Sequence, residues 1–460
     1  MKVEFKNIYF LGIGGIGMSA LARFFLHEGK SVAGYDRTST PLTLELESEG
    51  AQIHYEDDIE LVDKKFLSKE DTLVIYTPAI PKNHSEYNFF LEAGYQIVKR
   101  SKALGYLAQD KYVMAVAGTH GKTTTTTLTA WLNHVVCKGR ANAFLGGISK
   151  NFDSNLVLGK GDRLAVEADE FDRSFLQLYP NVAVITAADA DHLDIYGTHD
   201  AVKQAFSEFI SQIKPGGSLI LRKGVDLEIS NTHIKVYTYS FDEESDFFVI
   251  NITLLNTGKY CFDIVCPDRI IKGCTLGLPG RINVENAVAA VALLWAAGLD
   301  DEDALREGLA TFSGVKRRFD FYLNTDNQIY IDDYAHHPKE LQAAISSIKS
   351  MFSARHITAI FQPHLFTRTN DFYQEFAKAL SLSDRVILLP IYPARELPIE
   401  GVTSKLIGDL VSVPVIYSQK EDVVALIEQL DTDVVISFGA GDIDNYCKDI
   451  HGILSQKLQK

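Results

Sequence analysis

Short apolar runs alternate with longer amphipathic ones along this chain, and the alternation restarts twice. Between Lys6 and about Leu107, Asn7-Ile-Tyr-Phe-Leu11 reads as a buried strand, Gly17 to Glu28 as a helix, and Ser31-Val-Ala-Gly-Tyr35 as a strand ending at Asp36. Leu73-Val-Ile-Tyr76 is a later strand, closed by Thr77-Pro78. Strands interleaved with helices predict a parallel sheet covered on both faces. A second unit opens on the apolar strand Tyr112–Ala117 and continues through Leu164–Val166 and Val182–Ile185. The stretch from about Lys235 to Cys274 has short β-branched and aromatic segments broken at Asn256-Thr-Gly258 and Pro267-Asp268, and predicts a small antiparallel layer. Helices are expected at Val284–Trp295 and Asp301–Leu309. A third unit starts near Gly314, with strands at Ile329–Ile331, Ile357–Phe361, Val386–Leu389, Val413–Tyr417 and Val434–Ser437. The expected fold is therefore α/β in three domains, 1–107, 108–313 and 314–460. The first and last are Rossmann-like, and the middle one is a P-loop-type domain with the small antiparallel layer.

Composition narrows the chemistry. The 460 residues hold 46% hydrophobic and 23% charged positions, enough for packed cores and without a disorder signature. The 45 Lys and Arg stand against 60 Asp and Glu, a net charge of −15, which argues against a nucleic-acid or membrane-surface binder. Five Cys at irregular spacing, with no CxxC, suggest neither a disulfide framework nor a zinc knuckle. The apolar stretch Tyr9–Leu26 contains four glycines and Arg23 and reads as strand, turn and helix rather than a signal peptide. With no long apolar run either, a cytoplasmic protein is expected.

The sharpest motif is Gly118-Thr-His-Gly-Lys-Thr-Thr-Thr-Thr-Thr127, where a strand enters a glycine turn and Lys122 opens a helix. Backbone N–H groups and the helix dipole there cradle phosphates, Lys122 reaches the terminal phosphates and the Thr123 hydroxyl ligates Mg²⁺. Val116 stands where a full P-loop has its first glycine, so this is a shortened variant. A run of five threonines starts a helix poorly unless the hydroxyls are used. Lys122→Ala is expected to abolish turnover with the fold intact. The earlier turn Gly12-Ile-Gly-Gly-Ile-Gly17, with Asp36 after the next strand, fits a nucleotide phosphate, NAD being one candidate, or simply close helix–strand packing.

Three further loops end strands. Glu167-Ala-Asp-Glu-Phe-Asp172 offers a Mg²⁺ ligand beside the P-loop, or is a solvated acidic loop. Asp189-Ala-Asp-His-Leu-Asp194 places His192 among three carboxylates. Asp332-Asp-Tyr-Ala-His-His-Pro338 follows the cationic Lys316-Arg-Arg-Phe319, in which Arg317 or Arg318 could reach a phosphate; an interface salt-bridge cluster is the plainer alternative. Gln362-Pro-His-Leu-Phe-Thr-Arg-Thr369 presents His364, Thr367 and Arg368 together. Asn283 and Asn286 share a helix face and could read an adenine edge, or Asn283 could cap the helix.

With these motifs in this order, the chain resembles the Mur ligases of peptidoglycan synthesis over essentially its whole length. Gly118-Thr-His-Gly-Lys-Thr, Glu167-Ala-Asp-Glu, Asp191-His192, Asn283-Val-Glu-Asn286 and Arg317-Arg-Phe carry the resemblance. The glycine turn running on to Met18 and Ser19, Asp189 to Gly197, Asp332 to Pro338 and Gln362 to Thr369 are most similar to the member that adds the first amino acid. The resemblance implies an ATP-dependent ligase joining L-alanine to UDP-N-acetylmuramate through an acyl phosphate, with two Mg²⁺ ions, working as a monomer or homodimer with no nucleic-acid or membrane partner. It implies that Gly12, Gly14, Gly15, Ile16, Gly17, Met18, Ser19 and Asp36 hold the UDP-sugar. Gly118, Thr119, His120, Gly121, Lys122, Thr123 and Thr124 would hold ATP phosphates, Asn283 and Asn286 adenine, and Arg318 and Asp332 would reach ATP from the third domain. Thr123 and Glu167 would hold one metal and His192 the other. Tyr334, His337, His364 and Arg368 would line the amino-acid pocket, with His337 as base. Leu365 departs from the Arg often found after Gln-Pro-His, and Ser207 from the modified Lys of related ligases. The rivals are a ligase attaching a murein tripeptide to the same UDP-sugar, a folate polyglutamate ligase, an NAD oxidoreductase and a non-catalytic nucleotide-binding regulator.

Overall fold

Every parallel strand that carries a candidate motif ends in a loop at the carboxyl edge of its sheet, so the sheets explain where the motifs lie. The structure, a computed structural model, describes residues 5–190, 193–255, 258–394 and 396–458, with backbone only at 193 and 194. The first sheet has β1 (Asn7–Leu11), β2 (Ser31–Tyr35), β3 (Gln52–His54), β4 (Thr72–Tyr76) and β5 (Gln96–Lys99), all parallel in the order β3-β2-β1-β4-β5. Strand β1 is buried along its whole length, which is why its sequence is an unbroken apolar run rather than an alternation. The chain order reverses between β1 and β4, and the first glycine turn lies at that switch point.

The second sheet has β6 (Tyr112–Ala117), β7 (Asn142–Ser149), β8 (Ser154–Val157), β9 (Arg163–Glu167), β10 (Val182–Ile185), β11 (Ser218–Arg222) and β12 (Lys235–Tyr239) in the order β12-β11-β10-β6-β9-β7-β8. Only the β7/β8 pairing is antiparallel. The P-loop strand β6 thus lies between β9 and β10, and the loops after all three meet at one edge. Strands β13 (Phe248–Leu254), β14 (Tyr260–Val265) and β15 (Ile270–Thr275) form a separate three-stranded layer, with β14 and β15 antiparallel. The antiparallel layer expected from about 235 is therefore shorter. Lys235–Tyr239 instead pairs parallel with β11, because β-branched composition alone does not separate a parallel edge strand from an antiparallel one.

Packing divides the chain into two compact units. One comprises residues up to Thr253 with Cys261–Gly277 and Asn283–Ser313; the other comprises Leu254–Tyr260, Leu278–Ile282 and Gly314 onward. The first two sheets share one hydrophobic cluster that includes Ile8, Phe10 and Phe25 as well as Ala115, Val166 and Ile185. Arg23 ties the helix Ile16–His27 to β8 by donating to Asn155 Oδ1 at 2.7 Å while pairing with Glu45 and Glu49.

The second unit has β16 (Asp320–Asn324), β17 (Ile329–Asp333), β18 (Ile357–Phe361), β19 (Arg385–Leu388), β20 (Val415–Tyr417) and β21 (Val434–Phe438) in the order β16-β17-β21-β18-β19-β20. All pairings are parallel except β16/β17. The first strand here is β16, an antiparallel edge ahead of the expected Ile329–Ile331.

Candidate active site

The first glycine turn is built by its own strand ends. Gly12 has φ +86°, and a Cβ there would lie 2.6 Å from the Thr77 methyl, so only glycine serves. The Gly12 and Ile13 amides donate to the Tyr35 carbonyl, and the Gly14 amide donates to Asp36 Oδ2 at 2.7 Å. Asp36 therefore shapes the turn. Gly15 precedes the helix Ile16–His27 without a side-chain cap, leaving the helix's first amides for a ligand. Met18 and Ser19, also expected at the UDP-sugar, lie further along the helix. Both are buried on the inner helix face, and the Ser19 hydroxyl donates to the Ile16 carbonyl while accepting from Asn155 at 2.8 Å.

The second glycine turn follows β6. Gly118 and Gly121 take φ +134° and +79°, and a Cβ on Gly118 would strike Thr186 Oγ1 at 2.2 Å. The Thr119 hydroxyl accepts from the Asp189 amide, and His120 Nε2 stands 3.4 Å from Asp189 Oδ2. Lys122 Nζ donates to the Gly118 carbonyl at 2.6 Å and pairs with Glu170 at 2.8 Å. Burial works against the Lys122 charge, but the carboxylates of Glu170, Asp169 and Glu167 outweigh it and hold the ammonium above its ordinary range. Burial pushes the Glu170 carboxyl up, against the attraction of Lys122.

Thr123 donates to Glu167 Oε1 at 3.2 Å. A Cβ on Gly146 of β7 would lie 2.1 Å from Glu167 Oε2, so that glycine is the cradle for the carboxylate. A hydroxyl and a carboxylate are hard oxygen donors of the kind Mg²⁺ takes, and they fit that ion. Among the described residues no three His, Cys, Asp or Glu converge as a metal cage. His192 and Asp191, the expected second metal position, lie outside the described residues.

The threonine run divides. Thr126 and Thr127 are buried and donate to the carbonyls of Lys122 and Thr123, Thr125 is buried, and Thr124 is half-exposed at the turn. Asn283 is the third residue of the helix Arg281–Ala296 and so does not cap it. Asn286 Oδ1 lies 3.0 Å from where a Gly121 Cβ would be, which sets an amide against the P-loop.

In the second unit the cationic pair separates. Arg317 is consumed internally, donating to the Gly439 carbonyl at 2.6 Å and pairing with Asp444 at 3.2 Å. Arg318 and Arg317 both lie over the Tyr334 ring, each at 5.0 Å. Asp332, expected to reach ATP, is set inward here. It has no exposed surface, accepts from Ser437 at 2.6 Å and faces Arg317 at 3.6 Å, so it holds Arg317 in place. Burial pushes the neighbouring Asp333 up to about 7, although its oxygens accept from Ala335 and Phe319 amides.

His337 caps the helix Pro338–Met351, its Nδ1 accepting from the Lys339 amide, which puts the ring proton on Nε2. His336 has the opposite tautomer. Its Nδ1 faces the Tyr334 carbonyl at 3.0 Å and Glu340 at 3.6 Å, both acceptors, so the lone pair is on Nε2. Burial lowers its pKa and keeps it neutral. His336 stands 6.1 Å from His364, ring to ring, and Arg368 Nη1 reaches His364 Nδ1 at 3.4 Å. Leu365 takes φ +73° before the helix Phe366–Leu380 and adds no charge, so Arg368 is the cation beside His364. Thr367 donates both its amide and its hydroxyl to Glu396.

His336, Glu170, Gly146 and Glu396 escaped the sequence reading. Glu170 and His336 lay inside quoted motifs, where only contacts could separate them from their neighbours. Gly146 lies in Asn142–Ser149, whose glycine pair masks a strand.

Family models match in chain order. One described as the Mur ligase family catalytic domain covers 7–112, the Mur ligase middle domain covers 116–294, and the Mur ligase glutamate ligase domain covers 317–441. The UDP-N-acetylmuramate–L-alanine ligase of Phocaeicola vulgatus is 51% identical over 98% of this chain and 99% of its own. The crystal structure of the UDP-N-acetylmuramate-alanine ligase of Thermotoga maritima superposes with a TM-score of 0.82 at 27% identity, over 99% of this chain and 100% of that one. A murein peptide ligase of Psychrobacter arcticus shares the fold, with a TM-score of 0.70 at 22% identity over 98% of each chain.

Proposed function

The chain belongs to the Mur ligase family, and we propose that it joins L-alanine to the lactyl carboxylate of UDP-N-acetylmuramate, spending ATP and releasing ADP and phosphate. The near end-to-end match to a ligase of that activity carries the reading. We assign the UDP-sugar to the turn at Gly12, Gly14, Gly15, Ile16 and Gly17, ATP to the turn at Gly118–Thr124 with Asn283 and Asn286, and L-alanine to Tyr334, His336, His364 and Arg368. Among the described residues no helix is long and apolar enough to cross a membrane, and we place the reaction in the cytoplasm.

A carboxylate resists an amine because its oxygen leaves poorly. Transfer of the γ-phosphoryl group to it makes an acyl phosphate, which the amine attacks with loss of phosphate. Lys122 exchanges its bond to Glu170 for the terminal phosphates, and Arg318 adds a second cation. Mg²⁺ at Thr123 and Glu167 would supply charge neutralisation between triphosphate and carboxylate. Arg368 takes the alanine carboxylate. The ammonium must lose a proton first, and His336 Nε2 is our base in place of His337, because it carries the lone pair where His337 Nε2 carries a proton.

Two results follow from this pocket. Arg368→Ala raises KM for L-alanine about 10–10²-fold, the worth of one charge-assisted pairing, with KM for ATP unmoved; steady-state kinetics with each substrate varied checks it. Since burial keeps His336 neutral, kcat/KM for L-alanine holds its plateau below pH 6.5 before protonation lowers it, and His336→Gln costs about 10²–10⁴-fold in kcat. An acid limb centred above pH 6.5 would count against His336.

The reading is tested by offering L-alanine, L-serine, glycine and the murein tripeptide as second substrate. L-alanine should have the highest kcat/KM. Preference for the tripeptide overturns the assignment in favour of the recycling ligase.

A further inference from the structure

One guanidinium touches both glycine-turn neighbourhoods of the first unit. Arg100 opens the helix Arg100–Ala108 directly after β5. Its side chain lies across Gly17, where a Cβ would meet Nη1 at 2.8 Å and Cζ at 3.3 Å, so it rests on the uncapped first turn of the helix Ile16–His27. Its other nitrogen, Nη2, reaches Asp169 Oδ2 at 3.3 Å. Asp169 stands between Glu167, which faces Thr123, and Glu170, which holds Lys122.

The acidic loop is held tightly enough to transmit a movement. Asp169 accepts the Phe171 amide through its side chain and the Phe175 amide through its carbonyl. Gly105 of the same helix packs so closely on the loop's continuation that a Cβ would lie 2.5 Å from the Gln177 carbonyl. Lys99 pairs with Asp172 at 2.9 Å, and Asp172 and Arg173 both hold left-handed φ, at 52° and 55°. The segment 99–105 therefore grips the loop at three points.

We propose that Arg100 is a positioning residue that couples occupancy of the first glycine turn to the ATP site through Asp169. The inference rests on the turn's holding the pyrophosphate of a nucleoside diphosphate sugar, as assigned above. An anion on the turn meets the Nη1 edge and competes with Asp169 for one positive charge. Asp169 then shifts, and with it Glu170 and Glu167, which flank it in the chain and govern Lys122 and Thr123. Binding linkage makes the effect reciprocal, so nucleotide at the second turn changes affinity at the first by the same factor.

Calorimetry on the full chain reads this directly, with UDP-N-acetylmuramate titrated into protein without and with saturating ADP. The wild type should show a shift in Kd of about 5-fold or more. Asp169→Asn, which retains the acceptor for Phe171, should bind each ligand alone within about 3-fold of wild type and reduce the coupling to near unity. Arg100→Gln should weaken the UDP-sugar and lose the coupling too. A wild-type shift under 2-fold, or coupling undiminished in both variants, overturns the role of Arg100 while leaving the substrate assignment standing. No binding of UDP-N-acetylmuramate to the wild type overturns the substrate assignment, and the coupling falls with it.

Discussion

Lys122→Ala abolishes turnover and, contrary to what the motif alone suggests, destabilises the first unit. The loss of activity follows from removing the cation that meets the terminal phosphates, a contact worth about 10³-fold or more where charge moves in the transition state. The loss of stability follows from Glu170. Its side chain is wholly buried and pairs with Lys122 at 2.8 Å, so the variant takes a cation away from a carboxylate in the interior. Breaking a buried pair from one side costs about 3–5 kcal/mol. The cost is pH-dependent in a definite direction. Burial already raises the Glu170 pKa, and without Lys122 it rises further. The folded variant therefore prefers the protonated acid, so the penalty is absent below the carboxyl's unfolded pKa and grows as pH rises through the folded value. Chemical denaturation of Lys122→Ala at pH 5 and pH 8 should show the larger deficit at pH 8. Lys122→Met with Glu170→Gln should recover most of the stability and none of the activity. A single variant as stable as wild type at pH 8 would mean the pair carries no energy.

Gly146→Ala lowers kcat by about 10²-fold although residue 146 touches no reacting atom. The new methyl would stand 2.1 Å from Glu167 Oε2 and 2.5 Å from its Cδ, a distance no side chain tolerates, so the carboxylate has to leave Thr123. Displacing a charged group by about 1 Å at a phosphoryl-transfer site is worth about that factor. Because Glu167 and Thr123 are the proposed Mg²⁺ donors, the ion concentration for half-maximal activity should rise with it. Alanine is otherwise acceptable in a strand, so thermal stability should move little. Unchanged kcat and Mg²⁺ dependence would remove Glu167 from the site.

What the sequence disclosed was set by the range of the interactions involved. Strands such as β1 and β10, buried along their whole length, and β6, buried beyond Tyr112, appear as apolar runs, and the glycine turns after β1 and β6 need glycines that no other residue replaces. Motif order then identified the family. The pairings of side chains inside a motif were not legible. His336 and His337 are adjacent and chemically identical, and the Tyr334 carbonyl with Glu340 on one side and the helix cap on the other give them opposite tautomers. Arg317 and Arg318 likewise differ because the Gly439 carbonyl, Asp444 and Asp332 claim the first. Met18 and Ser19 read as part of a ligand loop because the motif runs through them, yet helical periodicity turns both inward. Strand β12 was assigned to the wrong layer since parallel pairing at a sheet edge leaves no local signature.

The central claim is a reaction that needs three substrates at once. ADP release should be followed with UDP-N-acetylmuramate, L-alanine and ATP all present, and then with each of the first two omitted. ADP should form only in the complete mixture, one for each UDP-N-acetylmuramoyl-L-alanine. ATP turnover indifferent to the UDP-sugar and the amino acid would contradict the ligase.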